Sequence, residues 1–215
     1  MESLTSGIQY RHWPVADARA CVLLVHGLAE HTGRYHRLAA HFNSAGIAVV
    51  GPDHIGHGAS PGVRAHVRRF SDYLEPLTAL RERIKEWYPD KPVFLLGHSM
   101  GGLIGAHALL VSQKSYHGAM FSGPAFTAVD PVSAPVMWIG RLLRYVFPKM
   151  GMLALNATEV SRDPAVVADY IADPLVYNGK ITTSLGLEIL DAMEVAISRA
   201  GEITLPVYIA HGEAD

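Results

Sequence analysis

The fold class this sequence predicts is α/β: a mostly parallel sheet flanked by helices, with a helical cap inserted after about residue 124. Three observations predict it. Short apolar, β-branched-rich runs recur at strand length, most of them ending in Gly, Pro or Asp, as strands buried on both faces do. Helix-like segments separate them, and alternating strand and helix text is the pattern of a parallel sheet. After Pro124 that rhythm breaks, and helix-like text continues to about residue 200.

The first run is "ACVLLVHG" (20–27), which encloses Cys21, the chain's one cysteine. A lone thiol cannot staple a fold, and this setting reads as core packing. A helix follows over "RYHRLAAHFNSA" (34–45), then a strand over "IAVVGPD" (47–53). The segment "FSDYLEPLTALRERIKEWY" (70–88) carries apolar residues at three- and four-residue spacing, as one face of a helix. "PVFLLGHS" (92–99) is the third strand, and "MGGLIGAHALLVSQ" (100–113) is apolar nearly all round, which suits a helix buried against a sheet. "GAMFSGP" (118–124) is the fourth strand. Residues 125–200 show no convincing strand; "PVMWIGRLLRYVFPKMGML" reads as helix, and "TTSLGLEILDAMEVAISRA" as a docking helix. "PVYIAHG" (206–212) is the last strand. The organisation expected is a core of residues 1–124 and 201–215, with a cap and return helix over 125–200.

With 215 residues, 49% hydrophobic and 18% charged, the chain is expected to fold as one unit with a sizeable core. The formal net charge of −2 and the absence of a basic run give a nucleic-acid role no electrostatic support. Arg64, Arg68 and Arg69 form only a small cluster. The amino terminus shows no basic flank followed by an apolar stretch, and no run approaches 18 apolar residues, so neither a secretory signal nor a membrane span is expected and a cytoplasmic location is the default. Asp53, His54 and His57 in "GPDHIGHGAS" (51–60) match no trusted ligand spacing. They read as a glycine-rich turn with satisfied structural histidines, and no metal is expected.

The sharpest motif is Gly97-His98-Ser99-Met100-Gly101, which fits G-x-S-x-G between an apolar strand and a helix. A nucleophilic serine needs a tight strand-to-helix turn that exposes its hydroxyl above the sheet edge. Small residues two positions either side let backbone approach without a Cβ clash. The helix amino terminus beneath supplies unpaired N–H groups and a positive dipole end for an oxyanion. "LLVHGLAEHTGRY" (23–35) places an H-G turn after an early strand, where a second backbone donor is expected. The two donors are then the N–H groups of Leu28 and Met100.

Taken together, "HGLAEHTGRY", "DHIGHGAS", "PVFLLGHSMGG", "DPLVY" and "HGEAD" resemble, in order and spacing, the monoacylglycerol lipase family of α/β-hydrolases from about residue 8 to the end. The resemblance implies that Ser99 is the nucleophile, that Leu28 and Met100 form the oxyanion hole, and that Glu30 and Arg34 lie near a glycerol leaving group. Their plain reading is a surface ion pair at helical spacing. It implies a mobile cap over about 125–185, with Met137, Trp138, Ile139, Leu142, Leu143, Val146 and Phe147 toward lipid and Arg141, Arg144 and Lys149 at a headgroup layer; a peripheral membrane contact through the cap would follow. An amphipathic core helix fits that pattern equally well. It implies that Asp215 is the triad acid. The order Ser, Asp, His then places the base downstream of Asp215, with a last strand and helix. The function implied is hydrolysis of a monoacylglycerol or lysophospholipid ester without metal or organic cofactor. Alternatives are a small-ester or peptide hydrolase on the same machinery, or a non-catalytic lipid-binding relative should the natural chain end at Asp215.

Overall fold

The computed structural model describes residues 1–128, 134–154 and 156–213. In chain order its strands are β1 (Glu2–Ser3), β2 (Gln9–Trp13), β3 (Ala20–Val25), β4 (Ile47–Pro52), β5 (Val93–His98), β6 (Gly118–Ser122), β7 (Gly151–Ala154), β8 (Lys180–Thr182) and β9 (Val207–Ala210). The helices are α1 (His36–Ser44), α2 (Leu74–Trp87), α3 (Met100–Ser112), α4 (Ala134–Val146), α5 (Pro164–Ala172) and α6 (Thr183–Ser198). Seven strands form one sheet in the order β1-β2-β4-β3-β5-β6-β9; β4, β3, β5, β6 and β9 run parallel, and β1 and β2 add an antiparallel edge.

The five strands expected from apolar runs are all present. The antiparallel edge was not anticipated. In β2 only Tyr10 is buried, with polar neighbours on either side, so the segment lacks the continuous apolar signature of a strand covered on both faces. A second departure lies at β7 and β8, which pair antiparallel where the sequence suggests no strand. They are four and three residues long, too short to give a readable strand pattern, and β7 is exposed throughout.

Alternation along the parallel strands sorts side chains to two faces. Leu23, Val25, Val50 and Leu95 join the main core with Leu77, Leu80 and Ile84 of α2 and Leu103, Ile104 and Leu109 of α3. Val22, Leu24 and Val49 pack with Phe94, Leu96 and Met120 beneath Ala39 and Phe42 of α1. Each fully buried leucine in these layers contributes about 1.5–3 kcal/mol of transfer free energy. Cys21 is fully buried, as expected, and burial pushes its thiol up to about 12.

The return helix α6 belongs to this packing. Leu185, Ala192 and Ala196 enter the main core, and His107 on α3 donates through Nε2 to the Ala192 carbonyl at 2.9 Å. Thr182 caps α6 by accepting from Leu185 N–H at 3.3 Å, and Asp163 caps α5 with Pro164 at its first position. Helix α4 rests on α6: Arg144 pairs with Glu188, Arg141 pairs with Asp191 at 3.2 Å, and Gly140 lies against Leu187. Its outer side exposes Trp138 (67%), Ile139, Leu142, Tyr145 (89%), Val146 and Phe147, whereas Met137 and Leu143 are half-buried. Arg141 and Arg144 are thus paired with acids of α6, the Arg141 pair on the exposed surface and the Arg144 pair partly buried. Among the described residues no helix is long and apolar enough to cross a membrane.

Candidate active site

Strand β5 lies between β3 and β6 and delivers Ser99 to the carboxyl edge of the sheet, directly before α3. Ser99 has φ 52° and ψ −122°, a backbone state that L-residues rarely adopt. It is fixed from both sides of its peptide. Ser99 N–H donates to Ser122 O at 3.1 Å, and its carbonyl accepts from Gly102 N–H at 2.9 Å and Ala125 N–H at 3.1 Å. The two glycines of the motif are demanded by close approach. A Cβ on Gly97 would stand 2.5 Å from Gly101 O, and one on Gly101 would overlap the Val25 carbonyl oxygen. Met100 opens α3, so its N–H is among the first four of a helix, which have no acceptor within it.

Facing this elbow, β3 ends at Val25 and the chain turns through His26, Gly27, Leu28 and Ala29, the last at φ 63°. The Cβ position of Gly27 lies 3.3 Å from Ser99 Cβ, which brings the turn beside the serine. Imidazoles support the turn from beneath. His26 donates through Nδ1 to Gly27 O at 2.8 Å and accepts through Nε2 from His54 N–H at 3.0 Å; His54 Nε2 donates to His26 O at 3.1 Å. Burial holds His26 and His54 well below the usual histidine range, with neighbouring imidazoles adding to the effect, so both are neutral. His57 is lowered to about 4 by burial. The expectation that these histidines are satisfied holds only in part. His54 Nδ1 and His57 Nε2 are buried without a partner among the described residues; each ring spends its other nitrogen on a backbone carbonyl, His54 on that of His26 and His57 on that of Ile55. Asp53 anchors that loop, accepting from Thr32 N–H and Ala59 N–H, each at 2.9 Å.

Glu30 and Arg34 do pair, but not on the surface: Glu30 is 3% exposed. Its Oε1 accepts from Gly27 N–H at 2.7 Å and Tyr35 O–H at 2.6 Å, and Arg34 takes Oε2. Arg34 also lies over the Tyr170 ring at 4.5 Å. Its neighbourhood opens to a cleft of about 250 Å³ lined by Glu30, Arg34, Tyr35, Leu38, His98 and Ser122 among others. The segment after α5 closes on the same turn: Tyr177 N–H donates to Ala29 O at 2.8 Å and His31 Nε2 to Asp173 Oδ2 at 2.9 Å. Sequence reasoning assigned no role to Tyr35, Tyr170 or Asp173.

Asp215 lies outside the described residues. The strand before it runs parallel to β6, pairing Ser122 with Ala210, and Gly123 N–H donates to Ala210 O at 2.7 Å. The carboxyl ends of β5 and β9 therefore flank that of β6. His98, a neighbour of Ser99, spends Nδ1 on Ser122 O at 2.9 Å.

A serine elbow at the centre of a mostly parallel, helix-flanked sheet, with a backbone turn facing it, defines an α/β-hydrolase. Residues 16–215 match the Hydrolase_4 family model, described as serine aminopeptidase, S33, and the chain belongs to that family of hydrolases. It is 38% identical over 210 residues to a monoacylglycerol lipase of Mycolicibacterium smegmatis, covering 97% of this chain and 75% of the relative. A phospholipase of Bacillus subtilis is 38% identical over 187 residues, covering 86% of this chain and 71% of the relative. The crystal structure of a monoacylglycerol lipase of Paleococcus ferrophilus superposes with a TM-score of 0.84 at 31% identity, covering 95% of this chain and 77% of that one.

Proposed function

We propose that this protein hydrolyses the ester bond of monoacylglycerols or lysophospholipids through an acyl-enzyme on Ser99. The observation that carries the reading is the strained Ser99 elbow set against the Gly27–Leu28 turn. Ser99 Oγ attacks the acyl carbon while its proton passes to a histidine oriented by Asp215. The carbonyl oxygen becomes an oxyanion held by the N–H groups of Leu28 and Met100; one such donor is worth about 10²–10³ in kcat. Collapse breaks the ester bond, and the leaving alcohol takes the proton. Water then attacks the acyl-enzyme, freeing the fatty acid and restoring the Ser99 hydroxyl.

The lipid assignment draws on the lipase and phospholipase relatives and on the apolar outer side of α4. In this reading residues 125–200 are cap and return helix over a core of 1–124 and 201–215, with the movable part ahead of α6. The exposed side of α4 meets lipid and gives a peripheral membrane contact. Arg34 is the cationic group nearest the leaving-group side, backed by Glu30. The family description favours a second reading, a small-ester or peptide hydrolase, because an elbow and acid serve any acyl transfer. The test is Ser99→Ala in the full-length protein, which is expected to lose fluorophosphonate labelling and esterase activity together; persistent labelling sinks the assignment. A series of glycerol esters separates the two readings, since activity falling steeply as the acyl chain lengthens defeats the lipid one.

A further inference from the structure

Gly27 stands at the point in the site where backbone direction matters most, and it is the residue type with the greatest backbone freedom. Two side chains pin it. The peptide that follows Gly27 carries the Leu28 N–H; its carbonyl oxygen accepts from His26 Nδ1 at 2.8 Å. In a trans peptide the N–H points opposite to the C=O, so this bond aims the Leu28 N–H away from His26. The peptide that precedes Gly27 is held by Glu30, whose Oε1 accepts the Gly27 N–H at 2.7 Å. A side chain at position 27 would itself collide with this arrangement, its Cβ lying 2.9 Å from Glu30 Oε1 and 3.3 Å from Ser99 Cβ.

The Glu30 carboxylate accepts three donors, from Gly27, Tyr35 and Arg34, and is 3% exposed. Burial, and then the adjacent carboxylate, hold the Tyr35 phenol well above its ordinary range, so it remains a donor. Oε1 takes the Gly27 N–H and the Tyr35 O–H, and Oε2 takes Arg34.

We propose that Glu30 is a positioning residue that sets the oxyanion donor of Leu28, rather than a group that meets the substrate headgroup. The proposal rests on the reading of Ser99 as the nucleophile. A donor displaced from the oxyanion weakens attack on every ester alike, whereas a headgroup contact matters only for esters that have the headgroup.

The test compares Glu30→Ala and Glu30→Gln in the full-length protein on two esters of one fatty acid, the monoacylglycerol and the methyl ester. Glu30→Ala is expected to lower kcat about 10²-fold on both, with KM little changed, as for the loss of an oxyanion donor. Glu30→Gln keeps an acceptor for Gly27 N–H and is expected to recover to within about tenfold of wild type, half the gap on a logarithmic scale. Equal melting temperatures for the two variants exclude a folding cause. A loss confined to the glycerol ester, or one carried in KM, overturns the proposal. A second readout is independent of turnover: the Gly27 amide proton, bonded to a carboxylate in wild type, is expected to move upfield in Glu30→Ala and to return with Glu30→Gln. An unmoved resonance overturns the proposal whether or not Ser99 is the nucleophile; a moved one beside failed Ser99 labelling defeats only the reading of the nucleophile.

Discussion

Replacing Ser99 by glycine and, separately, by alanine isolates the strain held in the elbow. At φ 52° and ψ −122° the residue is outside the broad wells open to L-amino acids, a state that costs about 1–3 kcal/mol. Alanine keeps the Cβ and therefore the strain. Glycine removes the strain but adds about 0.5–1 kcal/mol of conformational entropy to be lost on folding. Both variants lack Oγ, so whatever the hydroxyl contributes cancels in the comparison. The expected difference is about 1 kcal/mol in favour of Ser99→Gly, or roughly 2–4 °C in Tm for a protein of this size class. Thermal and urea unfolding of the full-length variants measure it, with equal urea slopes required so that the denatured states compare. An alanine variant as stable as the glycine one, or more stable, refutes the argument, because the local backbone would then carry no strain for glycine to relieve.

Gly101→Ala drives a Cβ into the Val25 carbonyl and is expected to cost at least about 3 kcal/mol by urea midpoint, whereas Gly201→Ala, with nothing within 4 Å of the added Cβ, should change stability by less than about 1 kcal/mol. The Cys21 thiol, buried and pushed up to about 12, is expected to resist a thiol-directed disulfide reagent at pH 8 in the native protein and to react at once in denaturant; rapid native labelling would contradict its burial. For Asp173, burial raises the pKa, but the Leu175 N–H and His31 outweigh it and hold the carboxyl below its ordinary range. A depressed pKa gives stability present above the unfolded value and lost as pH falls through the folded one. The stability advantage of wild type over Asp173→Asn should therefore shrink below about pH 4, and an advantage unchanged to pH 2 would be inconsistent. Paired Trp138→Ser and Tyr145→Ser substitutions on the exposed side of α4 are expected to lower hydrolysis of vesicle-borne monoacylglycerol about tenfold while sparing a dissolved short-chain ester; equal losses would place both residues elsewhere in the reaction.

What could be read in the sequence is what leaves a local signature. Strands covered by neighbours must be apolar at successive positions, so the runs at 20–27, 47–53, 92–99 and 118–124 announced themselves; 206–212 carries the same apolar text although β9 is largely exposed. The elbow was legible for the same reason: strand, two close-approach glycines and helix lie within a dozen residues. Strand β2 was not, since a strand with one buried tyrosine among polar neighbours resembles loop. Nor were the roles of Arg141 and Arg144, whose acidic partners lie 50 and 44 positions away on α6. Glu30 is the instructive case. Its spacing to Arg34 was visible, yet its partner of consequence is the backbone N–H of Gly27, and a backbone group has no letter in the sequence.

That backbone turn is held from two directions, and this bears on the proposal that residues 125–200 include a movable cap. From beneath, Glu30, His26 and His54 fix the peptides around Gly27. From above, the turn receives Tyr177 N–H on Ala29 O, Asp173 on His31 and the Tyr170 ring against Arg34, all from α5 and the loop after it. Helix α4 makes its ion pairs instead with α6, a helix packed into the core. The insertion is therefore not a single plate. Displacing α4 breaks exposed or half-buried ion pairs, each of modest worth in water, and leaves the Gly27 turn intact. Displacing α5 removes a backbone hydrogen bond from Ala29, whose φ of 63° needs its surroundings to persist. Under the proposed function, a path for lipid that opens at α4 is thus compatible with the oxyanion hole proposed at Leu28, and one that opens at α5 is not.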